Sequence, residues 1–176
     1  MKHLCQALLL SMLVSVPVSV VAAQPKANPK VADSSAIQVE MVKVGEVEVP
    51  AEFQVALYEH LVEEIEKDGA FSRVYRDGDR TAADAQNLIV MHAKITGFKE
   101  GSEMARQVTT VSGKTSIAVD CQLTDKNGSL LLEHNINGQV RFFGDNLRAT
   151  YDFAKKASKA ADEALSAYQA RPKSGS

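Results

Sequence analysis

The segment TSIAVDCQLTDKNGSLLLEHNINGQV, residues 115–140, decides the fold. Apolar residues occupy alternate positions on both sides of the dipeptide Asn127-Gly128, which favours a tight turn between two strands. Such alternation predicts strands with one buried face and one wetter face. The segment therefore predicts two antiparallel strands joined in a hairpin.

The alternation also limits how these two strands pair. A two-residue loop at the Asn-Gly turn places Cys121 opposite His134 and sets apolar residues against apolar ones along the ladder. A four-residue loop shifts the pairing by two residues and preserves that match. A three-residue loop would set Val119 against Asn135, so the pattern disfavours it.

Five further elements surround the hairpin. Alternating patterns predict strands over residues 37–44, 71–76 and 88–98. A helix is predicted over residues 50–67, since its apolar residues recur every four positions at Phe53, Leu57, Leu61 and Ile65. A closing helix is predicted from about residue 145 to 168, with a narrow stripe of mostly small residues at Leu147, Tyr151, Ala154, Ser158, Ala161, Leu165 and Tyr168.

The order of these elements predicts the fold class. One strand, a helix, four strands and a helix, each with one apolar side, favour an α+β two-layer sandwich. We expect a mixed, mostly antiparallel sheet of about five strands with both helices on one face and a polar opposite face. A single domain is expected over residues 37–170.

The beginning of the chain has the pattern of a secretory signal peptide. Lys2 and His3 precede an apolar run over residues 7–21, and small residues follow it, which predicts cleavage after Ala23. The run is about 15 residues long and Pro17 interrupts it, which is short for a membrane span. We expect a periplasmic or secreted protein without a stable membrane anchor, with a flexible leader over 24–36 and a disordered tail over 171–176.

Composition narrows the possible partners. The formal net charge is −2, so the protein lacks the broad basic field that nucleic acids attract, and nucleic-acid binding is disfavoured. Loss of the signal peptide removes Cys5 and leaves Cys121 as the only cysteine, so no intrachain disulfide is possible.

The run Gly113-Lys114-Thr115 matches the end of a phosphate-binding loop. That loop needs another glycine five residues before the first of these, where this chain has Val108, and it should lead into a helix. Here the following residues alternate like a strand. Nucleotide binding is therefore not expected.

The remaining candidate residues give weak signals. His60 is interpreted as boundary packing, His92 as a residue of the wetter strand face, and His134 as a structural histidine on the apolar face. Cys121 could form an activated thiolate with His134, but core filling is the favoured interpretation. Asp77 to Asp79 is interpreted as a turn rather than a calcium site. No catalytic, cofactor or metal residue is assigned, and no cofactor is expected.

The second half of the chain resembles a known family. The stretches ITGFKEGSEMAR and AVDCQLTDKNGSLLLEHNINGQ, followed by the alanine-rich closing helix, are similar to a bacterial envelope family known only as a domain of unknown function, the DUF4410 type. The shared features are Gly101, Ser102, Arg106 and an Asp-x-x-Gly turn at Asp125 and Gly128. The resemblance implies an exported protein without an established activity; many members are lipoproteins, whereas this chain lacks a lipid-attachment cysteine.

These features favour an exported, non-enzymatic envelope accessory protein that contacts an envelope protein or a glycan. The expected contact surface is the polar sheet face, with Lys94, Thr96, Asp120, Gln122, Asn135, Asn137 and Arg141. The alternative is a small periplasmic hydrolase or a ligand- or metal-binding module that uses His92, His134 or the Asp77–Asp79 loop.

Overall fold

The computed structural model describes residues 35–102, 113–140 and 145–171. Six strands, two α-helices and a short 3-10 helix follow one another: β1 (Ser35–Val39), β2 (Lys43–Val44), α1 (Ala51–Asp68), β3 (Arg73–Arg76), the 3-10 helix (Arg80–Asp84), β4 (Asn87–Lys99), β5 (Thr115–Asp125), β6 (Leu130–Val140) and α2 (Arg148–Ala170).

All six strands belong to one sheet, in the order β3-β1-β4-β5-β6, and β2 pairs with β4 beyond the end of β1. β1 is parallel to both β3 and β4, whereas β4, β5 and β6 form long antiparallel ladders. Both helices share one core with the same face of the sheet. The predicted α+β sandwich is confirmed, with six strands rather than about five.

The additional strand arises because the predicted strand over residues 37–44 is split in two. Glu40 N still donates to Met91 O of β4 (3.1 Å), and pairing resumes at β2. Between them the chain leaves the ladder, and Val42 O accepts a hydrogen bond from the side-chain amide of Gln54 in α1 (2.6 Å). A helix side chain therefore replaces a strand partner at this break.

α1 buries the predicted stripe. Phe53, Leu57, Leu61 and Ile65 are at most 1% exposed. The helix ends at Gly69, whose φ of 70° is left-handed, a conformation that glycine adopts without strain. The helix predicted over residues 50–67 is confirmed.

α2 buries a wider arc than the predicted stripe. Tyr151 belongs to that stripe but is 44% exposed, whereas Phe153 and a series of alanines are buried. The arc is wide because α2 packs on β5 and β6 with one side and on α1 with the adjacent side. Its small side chains permit close approach: a Cβ atom added to Gly138 of β6 would overlap the carbonyl oxygen of Ala149.

A bulge at Thr96 changes the direction of the β4 side chains. The pairing with β5 passes from Ile95 opposite Val119 to Gly97 opposite Ala118, and Thr96 is the extra residue. From that point the even positions turn inward, and the ring of Phe98 reaches Phe53 of α1 with 4.8 Å between centroids.

The hairpin turn differs from both predicted loops, and the register is one of the two that the sequence left open. Asp125 N donates to Ser129 O (2.9 Å), so the loop has three residues and ends at Gly128, whose φ is 81°. A bulge next to the turn absorbs the extra residue, and Cys121 lies opposite His134. The prediction against a three-residue loop was wrong, because the bulge restores the match of apolar residues that the loop alone would lose.

The face of the sheet opposite the helices is not polar throughout. At its β3 end, the 3-10 helix covers a small apolar cluster of Ala36, Tyr75, Ala82 and Leu88. The polar region is therefore confined to the β4-β5-β6 side of this face. We call this region the polar face.

The expected leader and tail lie largely outside the described residues, as does the expected signal peptide. β1 already begins at Ser35, within the leader range. Arg171, the first residue of the expected tail, bonds back to the hairpin through Asp125 Oδ2 (3.3 Å) and Leu130 O (2.9 Å). Within the described ranges, neither helix is long and apolar enough to span a bilayer.

Candidate functional site

The sheet brings six of the seven expected contact residues together on the polar face. Lys94 of β4 lies opposite Asp120 of β5, which lies opposite Asn135 of β6. Gln122 and Asn137 occupy the neighbouring rows, and Thr96 is the bulge residue beside them. Arg141, the seventh, lies outside the described residues.

Hydrogen bonds between these side chains fix their orientation. Asn135 Nδ2 donates to Asp120 Oδ1 (2.6 Å), and Asn137 Nδ2 donates to Asn135 Oδ1 (3.2 Å). Gln122 Nε2 donates to Glu133 Oε1 (2.8 Å). Glu133 was not among the expected contact residues, although the hairpin register places it opposite Gln122. The result is an ordered array of amides and carboxylates on a surface.

Two lysines extend this array toward the edge of the sheet. Lys43 of β2 lies opposite Lys94, so two like charges are adjacent, an arrangement that destabilises a sheet. Lys43 Nζ lies 3.7 Å from Glu40 Oε2 and its side chain is 72% exposed. Among the described residues, Lys94 Nζ has neither a hydrogen bond nor an ion pair. The sequence did not indicate Lys43, because no local pattern pairs β2 with β4.

His92 occupies the wetter face, as expected, and is held between two side chains. Its Nδ1 lies 2.8 Å from Glu40 Oε2, and its Nε2 lies 3.4 Å from Thr124 Oγ1. A general base that activates a hydroxyl requires a separation of about 2.6–3.2 Å. The longer contact to Thr124 is more consistent with a positioned surface imidazole than with an activated nucleophile.

His134 and Cys121 do not form a reactive pair. Cys121 is fully buried, and burial, followed by the charge of Asp120, raises the pKa of its thiol to about 12. Core filling by Cys121 is confirmed. The interpretation of His134 as a core histidine was wrong: it is exposed, because β6 is an edge strand and burial begins only at Ile136. His134 also lies on the opposite side of the sheet from His92.

The Asp77–Asp79 segment forms a turn, as predicted, with Gly78 at a φ of 76°. Asp77 N donates to the Tyr58 hydroxyl (2.9 Å). Asp79 Oδ1 accepts from both the backbone and the hydroxyl of Thr81, capping the 3-10 helix, and these two bonds lower the pKa of the Asp79 carboxyl. No three His, Cys, Asp or Glu side chains in the described ranges are grouped to hold a metal.

The Gly113-Lys114-Thr115 run leads into β5 rather than into a helix. Thr115 is fully buried, and its hydroxyl donates to Asn146 Oδ1 (2.6 Å) and accepts from Gly101 N (3.0 Å). A threonine in a phosphate-binding loop would need this hydroxyl for a magnesium ion. Here the hydroxyl, at the start of β5, links Gly101, which follows β4, with Asn146, which precedes α2.

Solved structures support the fold assignment. The PelC dodecamer from Paraburkholderia phytofirmans is 17% identical, with a TM-score of 0.53 over 82% of this chain and 94% of that chain. A single-residue variant of the same dodecamer is 13% identical, with a TM-score of 0.54 over 74% and 89%. A Xanthomonas campestris protein of the DUF330 type is 11% identical, with a TM-score of 0.49 over 81% and 91%. At such identities the likeness to the two PelC structures establishes the fold alone.

No curated protein matches the chain. The model of one protein family matches residues 21–144, which include every strand of the sheet and α1. The protein therefore belongs to the family described as domain of unknown function (DUF4410).

Proposed function

We propose that the protein is an exported, non-enzymatic accessory protein of the bacterial envelope that works by contacting an envelope protein or a glycan through its polar face. The observation that carries the proposal is the array of Lys94, Thr96, Asp120, Gln122, Asn135 and Asn137 on three adjacent strands. Interactions within the array orient the amides before any partner arrives, which lowers the entropy cost of binding.

The surroundings of the other candidate residues support a binding role over catalysis. Cys121 is inaccessible, His92 and His134 lie on opposite sides of the sheet, and Asp79 caps a helix. A hydrolase would require a nucleophile, a base and oxyanion donors around one cleft. The expected absence of nucleotide and cofactor chemistry remains part of this proposal.

Location is the second part of the proposal. The amino-terminal pattern with cleavage after Ala23, together with the family resemblance, supports export to the periplasm or beyond. The same fold forms a dodecamer in PelC, which is compatible with an assembly role in this chain. Detection of the mature amino terminus at Gln24 in a periplasmic fraction would support export.

Affinity capture from an envelope extract tests the contact surface. A variant with three alanine substitutions on the polar face should capture at least about tenfold less partner than the wild type, because the ordered array is removed. The substitutions are Lys94→Ala, Asp120→Ala and Asn135→Ala. A matched variant on the exposed side of α2 should retain capture: Lys155→Ala, Lys159→Ala and Glu163→Ala.

Both variants should unfold within about 0.5 kcal/mol of the wild type, since exposed positions contribute little to stability. Equal capture by the two variants would refute the polar face as the contact surface. Protease treatment of the extract before capture separates the two partner classes, because a glycan survives it and a protein does not.

A further inference from the structure

We propose that copies of this protein associate head to tail, with the outer edge of β6 of one copy pairing beside β2 of the next. The two edges lie at opposite ends of the sheet. The tests below change residues that the capture variant of the polar face leaves intact, so this proposal and the proposed function can fail separately.

The β2 edge has room for another strand. β3 covers β1 only as far as the pairing of Val39 with Arg76, and no described strand lies beside residues 40–45. A groove of about 630 Å³ occupies this position, lined in part by Met41, Val44 and Gln54. Gln54 covers a single carbonyl, that of Val42.

The β6 edge is protected at its two ends and open between them. Arg171 covers Leu130 O, while Lys156 covers Asn137 O and Asp152 accepts from Gln139 N. Among the described residues, none bonds to the outer edge of β6 over residues 131–136. The open stretches on the two edges both span about six residues, roughly 20 Å of strand.

The direction of the strands suits a repeating contact. β2 is parallel to β4, and β6 reverses direction twice relative to β4, so β2 and β6 run the same way. A second copy placed beside the first without inversion therefore pairs its β2 in parallel with β6 and keeps its helices on the same side. Such a heterologous contact repeats into a ring or a filament.

Opposite charges meet on the polar face of the joined sheet. Lys43 projects on the polar face and Val44 on the helix-covered face, as their pairing with Lys94 and Ile95 shows. On β6, Glu133 lies on the polar face, and His134 lies on the other side, where it is exposed. Because the joined strands run the same way, a register that sets Lys43 beside Glu133 of the next copy sets Val44 beside its His134.

Exposed apolar residues point to the same two edges. Five large hydrophobic residues are exposed in the described ranges; Met41 and Val44 lie at the β2 edge and Leu130 lies on β6. The pairing would cover these side chains. A contact of six residues on each side buries little surface area compared with most specific interfaces. Association should therefore be weak and should depend on protein concentration.

Disulfide trapping tests the geometry with purified protein. Val44→Cys and His134→Cys proteins are prepared separately in a Cys121→Ala background, then mixed under mild oxidation. The mixture should form at least about tenfold more cross-linked dimer than either protein alone, because the contact joins unlike edges. Equal cross-linking within the unmixed samples would overturn the head-to-tail arrangement in favour of a symmetric pair.

Charge exchange provides a second, independent measurement. In sedimentation velocity, Lys43→Glu and Glu133→Lys should each weaken self-association about tenfold, since like charges then meet across the contact. A protein carrying both changes should recover the wild-type association. A wild-type protein that stays monomeric at every concentration, or a double variant that fails to recover, would refute the proposal.

Discussion

Neighbouring residues of β4 project on opposite faces of the sheet, one covered by the helices and one polar. Ile89, Met91 and Ile95 are fully buried beneath the two helices, whereas Lys94, one position away from Ile95, projects from the polar face without a partner among the described residues. The covered face gains stability from apolar burial and close packing, which tolerate little change in volume. The polar face consists of exposed hydrogen bonds, which contribute less stability and leave room for substitution.

Two glycines provide the strongest test of this contrast. Gly138→Ala should lower the free energy of unfolding by about 3 kcal/mol, because the new Cβ overlaps Ala149 O and would lie 2.8 Å from Phe153 Cβ. The backbone of α2 cannot withdraw without losing its contacts with β6. Urea unfolding followed by circular dichroism measures the effect.

Gly97→Ala is the matched control on the polar face. Its new Cβ would lie 3.2 Å from the Cβ of Ala118, a contact that the two strands relieve by moving apart a few tenths of an ångström. The expected change is below about 1 kcal/mol, partly offset by the reduced entropy of the unfolded chain. Similar losses for the two variants would contradict the difference in packing between the faces.

Thr115 tests whether hydrogen bonds of a fully buried side chain outweigh the contact of a half-buried one. Thr115→Val keeps the shape of the side chain but leaves Gly101 N and Asn146 Oδ1 without the hydroxyl, and should cost about 2 kcal/mol. Thr124→Val removes the long contact with His92 and should cost less than about 0.5 kcal/mol. Thermal unfolding of the two variants distinguishes these cases, and equal shifts in Tm would count against this role of Thr115.

Local periodicity was sufficient to predict most of the elements, and the buried sides of α1 and β4 among them. The four-residue spacing of Phe53 to Ile65 gave α1, and alternation along residues 88–98 gave the buried and polar sides of β4. Matching apolar positions reduced the hairpin to two registers, one of which the structure has. These features depend on residues close in sequence, which is why the chain alone reveals them.

Features that depend on distant residues were not predictable in this way. The position of β1 between β3 and β4, the contact of Glu40 with His92, and the pairing of Lys43 with Lys94 all join segments remote in sequence. The Thr96 bulge and the one beside the hairpin turn are local, but they produce no periodic signal. The exposure of His134 reflects its position on the outermost strand, which no pattern within β6 could indicate.

His60 provides a smaller test of the covered side, because its protonation makes the free energy of unfolding depend on pH. Its Nδ1 lies 2.6 Å from Thr150 Oγ1, and its ring stacks on Tyr151 at 3.4 Å between centroids. The Thr150 hydroxyl donates its hydrogen to Leu147 O, so its oxygen accepts a hydrogen bond from His60 Nδ1–H. Burial lowers the pKa of His60 below its usual 6.5, although the Glu63, Asp145 and Glu59 carboxylates partly oppose this.

The sign of the pH effect follows from the lowered pKa. Between the pKa of folded His60 and about 6.5, the unfolded chain binds more protons than the folded protein, so the free energy of unfolding falls as pH decreases. Above pH 7 the contribution of His60 is constant. We expect His60→Gln to lose this part of the dependence, measured as the difference between the two unfolding curves from pH 7.5 to 5. The pKa of Glu59 is also lowered, from its usual 4.5, so its contribution to the pH dependence of unfolding lies at more acidic pH. Parallel curves for the two proteins across this range would show that protonation of His60 does not oppose the packing of α1 on α2.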